Sequence, residues 1–228
     1  MPIAYACIIP PSPIAAARVS DATDLVLQEL ASQGAECALV IVAATGRGVS
    51  IGVGAESNDD LAREIVAEAK AATLPVDWAP RATVPEPLAG ALGGARLVTV
   101  QTSSLSAREH FEFGRAVSRA LERYEPKVAI VCIARLSTAL GPGEPGRTFD
   151  ARYQRAIEDW DVKWLAALDW NARRRVGEDA VAQTAVLMGA LAGSRIERRV
   201  LAYEESEGAG AVVAAIDVLG PRRKARDV

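Results

Sequence analysis

CALVIVAA, residues Cys37 to Ala44, is an unbroken apolar run with β-branched residues at Val40, Ile41 and Val42. A strand with one wet face alternates apolar with polar residues, whereas a run without alternation fits a strand covered on both faces. Upstream, DATDLVLQELASQG (Asp21 to Gly34) carries helical periodicity through Leu25, Leu27 and Leu30 and stops at a glycine. Before it, IAYACII (Ile3 to Ile9) is a short apolar run closed by Pro10 and Pro11. The order is β-α-β, which predicts an α/β fold with helices on both faces of a mostly parallel or mixed sheet.

The later sequence extends this plan. TGRGVSIGVGAESNDD reads as a glycine-rich loop, followed by a helix capped near Ser57 or Asn58 and running towards Ala72. VDWAPRATVPEPLAGALGG, broken by Pro and Gly, reads as an irregular excursion with one helical turn. ARLVTVQT (Ala95 to Thr102) and KVAIVCIA (Lys127 to Ala134) are further strands. Between them, SAREHFEFGRAVSRALERYEP opens on a capping box, Ser106 with Glu109, and stops before Pro126. Helices are expected over Ala151 to Leu168 and Glu178 to Leu191, then RRVLAYEE and AVVAAIDVLG joined by SEGAG as an antiparallel hairpin. One domain over residues 1–220 with a basic tail at 221–228 is the expected organisation.

Composition narrows the function classes. Half of the 228 residues are apolar but only 5% aromatic, so the interior should be aliphatic. With 26 basic against 29 acidic residues, no general attraction to nucleic acid or an anionic membrane is expected. Three cysteines in or beside apolar runs, without a CxxC spacing, suit reduced thiols and a cytoplasmic location. No run reaches the roughly 20 apolar residues that span a bilayer, and the N-terminus lacks a charged secretory segment.

There is one histidine, His110. One imidazole cannot fill two ligand positions, so an iron site of two histidines and a carboxylate cannot be assembled within this chain, and no cofactor is expected. His110 falls three residues before Phe113 on a helix side that continues through Val117, Leu121 and Tyr124, which suits a partly buried, hydrogen-bonded side chain. An acid-base role remains the alternative, including a pairing with Cys7, Cys132, Ser12 or Ser137. Trp160 and Trp164, four apart, should share a helix face, against the core or a partner subunit or as a ligand platform. Glu178 is either a first-turn carboxylate that stabilises its helix or a site residue. Glu204, Glu205 and Glu207 should face water.

Taken together, ACIIPPSP, ALVIVAATG, VAIVCIARLSTALGPGEPGRTFDA, VLMGAL and LAYEESEGAG resemble the class III extradiol ring-cleavage dioxygenases, the catalytic B-subunit-like fold. Enzymes of that family hold non-haem Fe(II) by two histidines and a glutamate and open a catechol ring beside its hydroxyls. Where the family's first strand ends in Ser-Pro-His-Pro-Pro, this chain has IPPSP, which sets Pro11 at the first histidine. The family's second-strand Ser-Pro-His-Gly appears as AATG, with Thr45 at the second ligand. Its Gly-Asp-Leu-Ser-His loop appears as ARLST: Arg135 stands for the aspartate, Ser137 is kept, and Thr138 stands for the acid-base histidine. Glu178 matches the iron carboxylate.

The resemblance therefore implies a dioxygenase-like scaffold without the iron site. Such a protein would act as a homodimer, as the partner of a related subunit, or as a binder of a small anionic or aromatic ligand, with Arg135 suited to an anion. Changed chemistry in the same pocket, or an iron site completed by a partner chain, are the enzymatic alternatives.

Overall fold

The computed structural model describes residues 2–11, 16–44, 48–53, 59–206 and 208–221. Its centre is an eight-stranded mixed sheet. Four parallel strands form the middle: β5 (Arg96–Thr102), β2 (Cys37–Ala43), β6 (Val128–Ile133) and β1 (Ile3–Ile9), adjacent in that order. Two further strands flank them on each side, joined to them by antiparallel pairing. On one side β3 (Val49–Val53) runs against β5 and alongside β4 (Val76–Pro80). On the other, β8 (Ala209–Pro221) runs against β1, and β7 (Ser194–Ser206) forms the outer edge.

The absence of alternation in the central strands has the expected cause. Successive side chains point to opposite faces, and both faces are dry. Cys7, Val40, Ala129 and Val131 enter one cluster with α1 (Ala17–Ser32) and α3 (Glu86–Leu92). Ile8, Leu39, Ile41, Ile130 and Cys132 enter the other, with α2 (Asp59–Ala71), α4 (Ala107–Glu122) and α8 (Ala180–Ala190). Every residue of α8 is buried; apart from Gln183 and Thr184 it is apolar all round, as an interior helix must be, rather than amphipathic. It meets α4 where Gly114 faces Gly189. A Cβ added at Gly114 would lie 2.1 Å from the Val186 carbonyl oxygen and 2.8 Å from Gly189 Cα, so the two backbones are in direct contact.

α4 starts as expected: Ser106 Oγ accepts the Glu109 N–H at 3.2 Å, and Glu109 accepts the Ser106 N–H at 2.8 Å. Elsewhere the structure corrects the sequence reading. The glycine-rich stretch contains β3, and Gly52 is there for close approach, since a Cβ would lie 2.0 Å from Thr99 Oγ1 on β5. The supposed irregular excursion contains β4 and α3. α1 begins four residues before Asp21.

The single helix expected over Ala151 to Leu168 is two, α5 (Gly146–Asp159) and α6 (Val162–Ala166). Trp160 closes α5 in the left-handed conformation, φ 55°, and Asp161 caps α6 by accepting the Trp164 N–H. Trp160 and Trp164 therefore do not share one helix. α7 (Trp170–Val176) follows. The expected caps at Ser57 and Asn58, Glu207, and residues 222–228 of the basic tail lie outside the described residues.

Candidate functional site at the strand ends

The four parallel strands deliver their C-terminal ends to one rim. There β6 runs on into Arg135, Leu136, Ser137 and Thr138, and each is anchored to a different part of the chain. The Arg135 N–H donates to Asp179 Oδ1 at 2.7 Å, its carbonyl accepts the Asp179 N–H at 3.1 Å, and its guanidinium lies 3.4 Å from Asp179. Leu136 donates to the Gly210 carbonyl at 3.0 Å, and Gly210 donates back to the Ser137 carbonyl at 2.8 Å. Thr138 donates its N–H to Val176 O at 2.8 Å and its hydroxyl to Gly177 O at 3.4 Å.

Ser137 is held by a buried carboxylate. Asp150, on α5, accepts the Ser137 N–H at 3.1 Å and the Ser137 hydroxyl at 2.8 Å on one oxygen, and the Tyr203 hydroxyl at 2.9 Å on the other. Burial raises the Asp150 pKa, and the donors from Ser137 and Tyr203 oppose that shift. The three donors tie the loop after β6 to α5 and to the edge strand β7, a fully satisfied network of the kind that fixes one conformation.

Glu178 lies just ahead of α8, its side chain fully enclosed. One oxygen accepts from the Arg173 Nε; the other accepts the Val181 N–H at 2.7 Å, so the carboxylate does stabilise the helix start. Arg173 is itself only 6% exposed along its side chain, which makes this a buried ion pair. Burial raises the Glu178 pKa, with the neighbouring Arg173 charge pulling it back.

His110 is completely buried in α4. Its Nδ1 lies 2.9 Å from the Ser106 carbonyl oxygen, so Nδ1 carries the proton and donates it. That leaves Nε2 as a bare acceptor with no hydrogen-bond partner among the described residues. Burial lowers the His110 pKa to about 4, opposed by the Ser106 hydrogen bond and helped by the Arg173 charge. The imidazole is neutral at pH 7.

Of the nucleophiles weighed for it, Ser12 lies outside the described residues, and the other three face away or are engaged by other groups. Cys7 points into the α1 and α3 side of the sheet, while α4 packs on the other side. The Cys132 thiol faces the Gln183 carbonyl at 3.5 Å, and the Ser137 hydroxyl is committed to Asp150. Burial pushes both the Cys7 and Cys132 thiols up, away from thiolate.

The rim thus gathers Arg135, Ser137, Thr138 and Glu178 and excludes Cys7. Pro11 is an exposed bend after β1. Ser12 and Thr45 lie outside the described residues. Sequence reasoning missed Asp150, Asp179, Tyr203 and Arg173, the groups that satisfy the others. Arg173 was hidden in Arg173-Arg174-Arg175, where only the first turns inward. Glu204 also departs from expectation: half-buried, it accepts the Val19 N–H at 3.2 Å, while Glu205 pairs with Arg147. Among the described residues no group of three or more His, Cys, Asp and Glu side chains is placed to hold a metal ion, and no helix is long and apolar enough to cross a membrane.

No protein-family model matches the chain. A curated protein of Clostridium acetobutylicum, Protein CA_C1420, is 26% identical over 121 residues, half of this chain. The match takes in 26% of that protein's own length. Among solved structures, the crystal structure of the uncharacterized protein JW3007 from Escherichia coli K12 superimposes with a TM-score of 0.61 at 14% identity. That likeness covers 94% of this chain and 99% of the other, and it shows a shared fold.

Proposed function

We propose that this chain is an extradiol-dioxygenase-like protein that works without Fe(II), as a scaffold or as one subunit paired with itself or a relative. The observation that carries the reading is the Arg173–Glu178 pair. A carboxylate that ligates iron needs a free oxygen directed at the ion, and here one oxygen faces a guanidinium and the other a backbone N–H. Placing a divalent cation beside Glu178 would set it against the Arg173 charge inside a low-dielectric region.

Of the other positions the resemblance singles out, Thr45 lies outside the described residues, while Pro11 and Thr138, the latter at the acid-base histidine, support the same reading. Pro11 has no donor atom, and Thr138 spends its hydroxyl on Gly177. The single imidazole lies inside α4 and points its proton at Ser106. The residues present do not fit an Fe(II) centre. What the rim does well is hold a loop rigidly, through Asp150 and Asp179, which suits presentation of a fixed surface. Three buried free cysteines are compatible with a reducing cytoplasm.

Anaerobic loading of the purified chain with Fe(II), followed by metal analysis and an oxygen-coupled assay with a panel of catechols, tests this. The expected result is iron well below one per chain and no ring-opened product. One tightly held iron per chain together with ring-opened product would overturn it.

A further inference from the structure

A cavity of about 590 Å³ lies away from the rim, where the ends of α5 and α8 meet the start of β7. α8 has eleven residues, so its far end is roughly 16 Å from the end that carries Glu178. The volume falls within the range of pockets that take small organic molecules. Its apolar lining includes Phe111, Trp160 and Ile196, all only partly buried against the core, so ring and aliphatic surface is left open to the cavity.

The polar lining is uneven. Arg195 and Arg198, both on the edge strand β7, line the same cavity, against one carboxylate, Asp159. Among the described residues the Arg198 side chain has neither a hydrogen-bond nor an ion-pair partner, whereas its chain neighbour Arg199 pairs with Glu29 and Asp217. Arg195 makes one long bond, 3.4 Å, to the Leu219 carbonyl. Both arginines are solvent-exposed, so their guanidinium groups are open to a ligand, and a carboxylate matches their planar donor pattern. Trp160 adds a further sign. It reaches the cavity from a left-handed backbone, φ 55°, a conformation that costs a bulky residue energy and that a glycine would adopt freely.

From this geometry we propose that the cavity binds an aromatic carboxylate, its ring against Phe111 and Trp160 and its carboxylate on Arg198 and Arg195. The site shares no residue with the Arg173–Glu178 region. Its loss would leave the iron-free reading untouched, and the reverse also holds.

Calorimetric titration of the full chain with naphthalene-2-carboxylate tests the assignment, with the uncharged naphthalene-2-carboxamide as control. One saturable site is expected, about tenfold weaker in Arg198→Gln and for the carboxamide, the loss of one charge-assisted hydrogen bond. Ala192→Trp, at an exposed lining position, should abolish binding by filling the space while leaving the melting temperature unchanged. Absence of saturable binding to wild type at millimolar ligand, or equal affinity in wild type and both variants, would overturn the proposal.

Discussion

The same substitution, Gly to Ala, should have opposite effects at two helical positions, and the contrast tests how α4 and α8 are packed. Alanine is better than glycine in a helix interior by about 1 kcal/mol. At Gly90, on the exposed side of α3, an added methyl meets nothing within 4 Å, so that gain should appear nearly whole. At Gly114 the methyl would lie 2.1 Å from the Val186 carbonyl oxygen and 2.8 Å from Gly189 Cα. These are backbone atoms of a buried helix and cannot rotate aside, so α4 and α8 must separate. Overpacking costs roughly 1–3 kcal/mol where side chains can adjust. With backbone on the far side the upper end applies, which leaves a net loss of about 2 kcal/mol.

Thermal unfolding followed by circular dichroism reads the difference. For a domain of this size, 1 kcal/mol moves the midpoint by about 2–4 °C. Gly90→Ala should therefore melt a few degrees above wild type and Gly114→Ala roughly 4–8 °C below it. A Gly114→Ala protein as stable as wild type would refute the direct backbone contact between the helices.

Two further outcomes follow from the buried polar groups. Arg173→Met should lower stability by about 3–5 kcal/mol, because it strands the Glu178 carboxylate without a partner, and adding Glu178→Gln should restore much of the loss; a single variant that unfolds like wild type in urea would count against the pair. His110 binds its proton less readily in the fold, pKa about 4, than in the open chain near 6.5, so its stabilising effect is complete above pH 6.5 and fades as pH falls towards 4. Between pH 8 and pH 5 wild type should lose about 2 kcal/mol that His110→Gln does not lose; parallel pH profiles of the two proteins would contradict this.

Much of the fold is legible because its central strands are dry on both faces, and a run such as CALVIVAA has few other uses. The Ser106–Glu109 box is equally local: both partners lie within one turn and no distant residue is needed. What could not be read depends on distant neighbours. Gly52 looks like a loop residue until Thr99 is placed across from it, and a tryptophan in left-handed backbone at position 160 has no local signal at all. The candidate site divides the same way. Ser137, Thr138, Arg135 and Glu178 stand out by position in the sequence, but their roles are set by Asp150, Asp179, Val176 and Arg173, which approach only after α5, α7 and α8 have packed. Asp150 closes the very loop that drew attention, yet nothing local says that its carboxylate turns back onto Ser137.

α8 gives the molecule a built-in gauge. Its residues are buried along the whole length of the helix, so its amides should trade hydrogen for deuterium chiefly when the entire domain comes apart. Any compound that occupies the folded form, at whatever point on the surface, slows that trade in proportion to its grip. Mass-spectrometric readout of a single peptide spanning this helix could therefore screen a chemical library for binders, wherever on the protein they land.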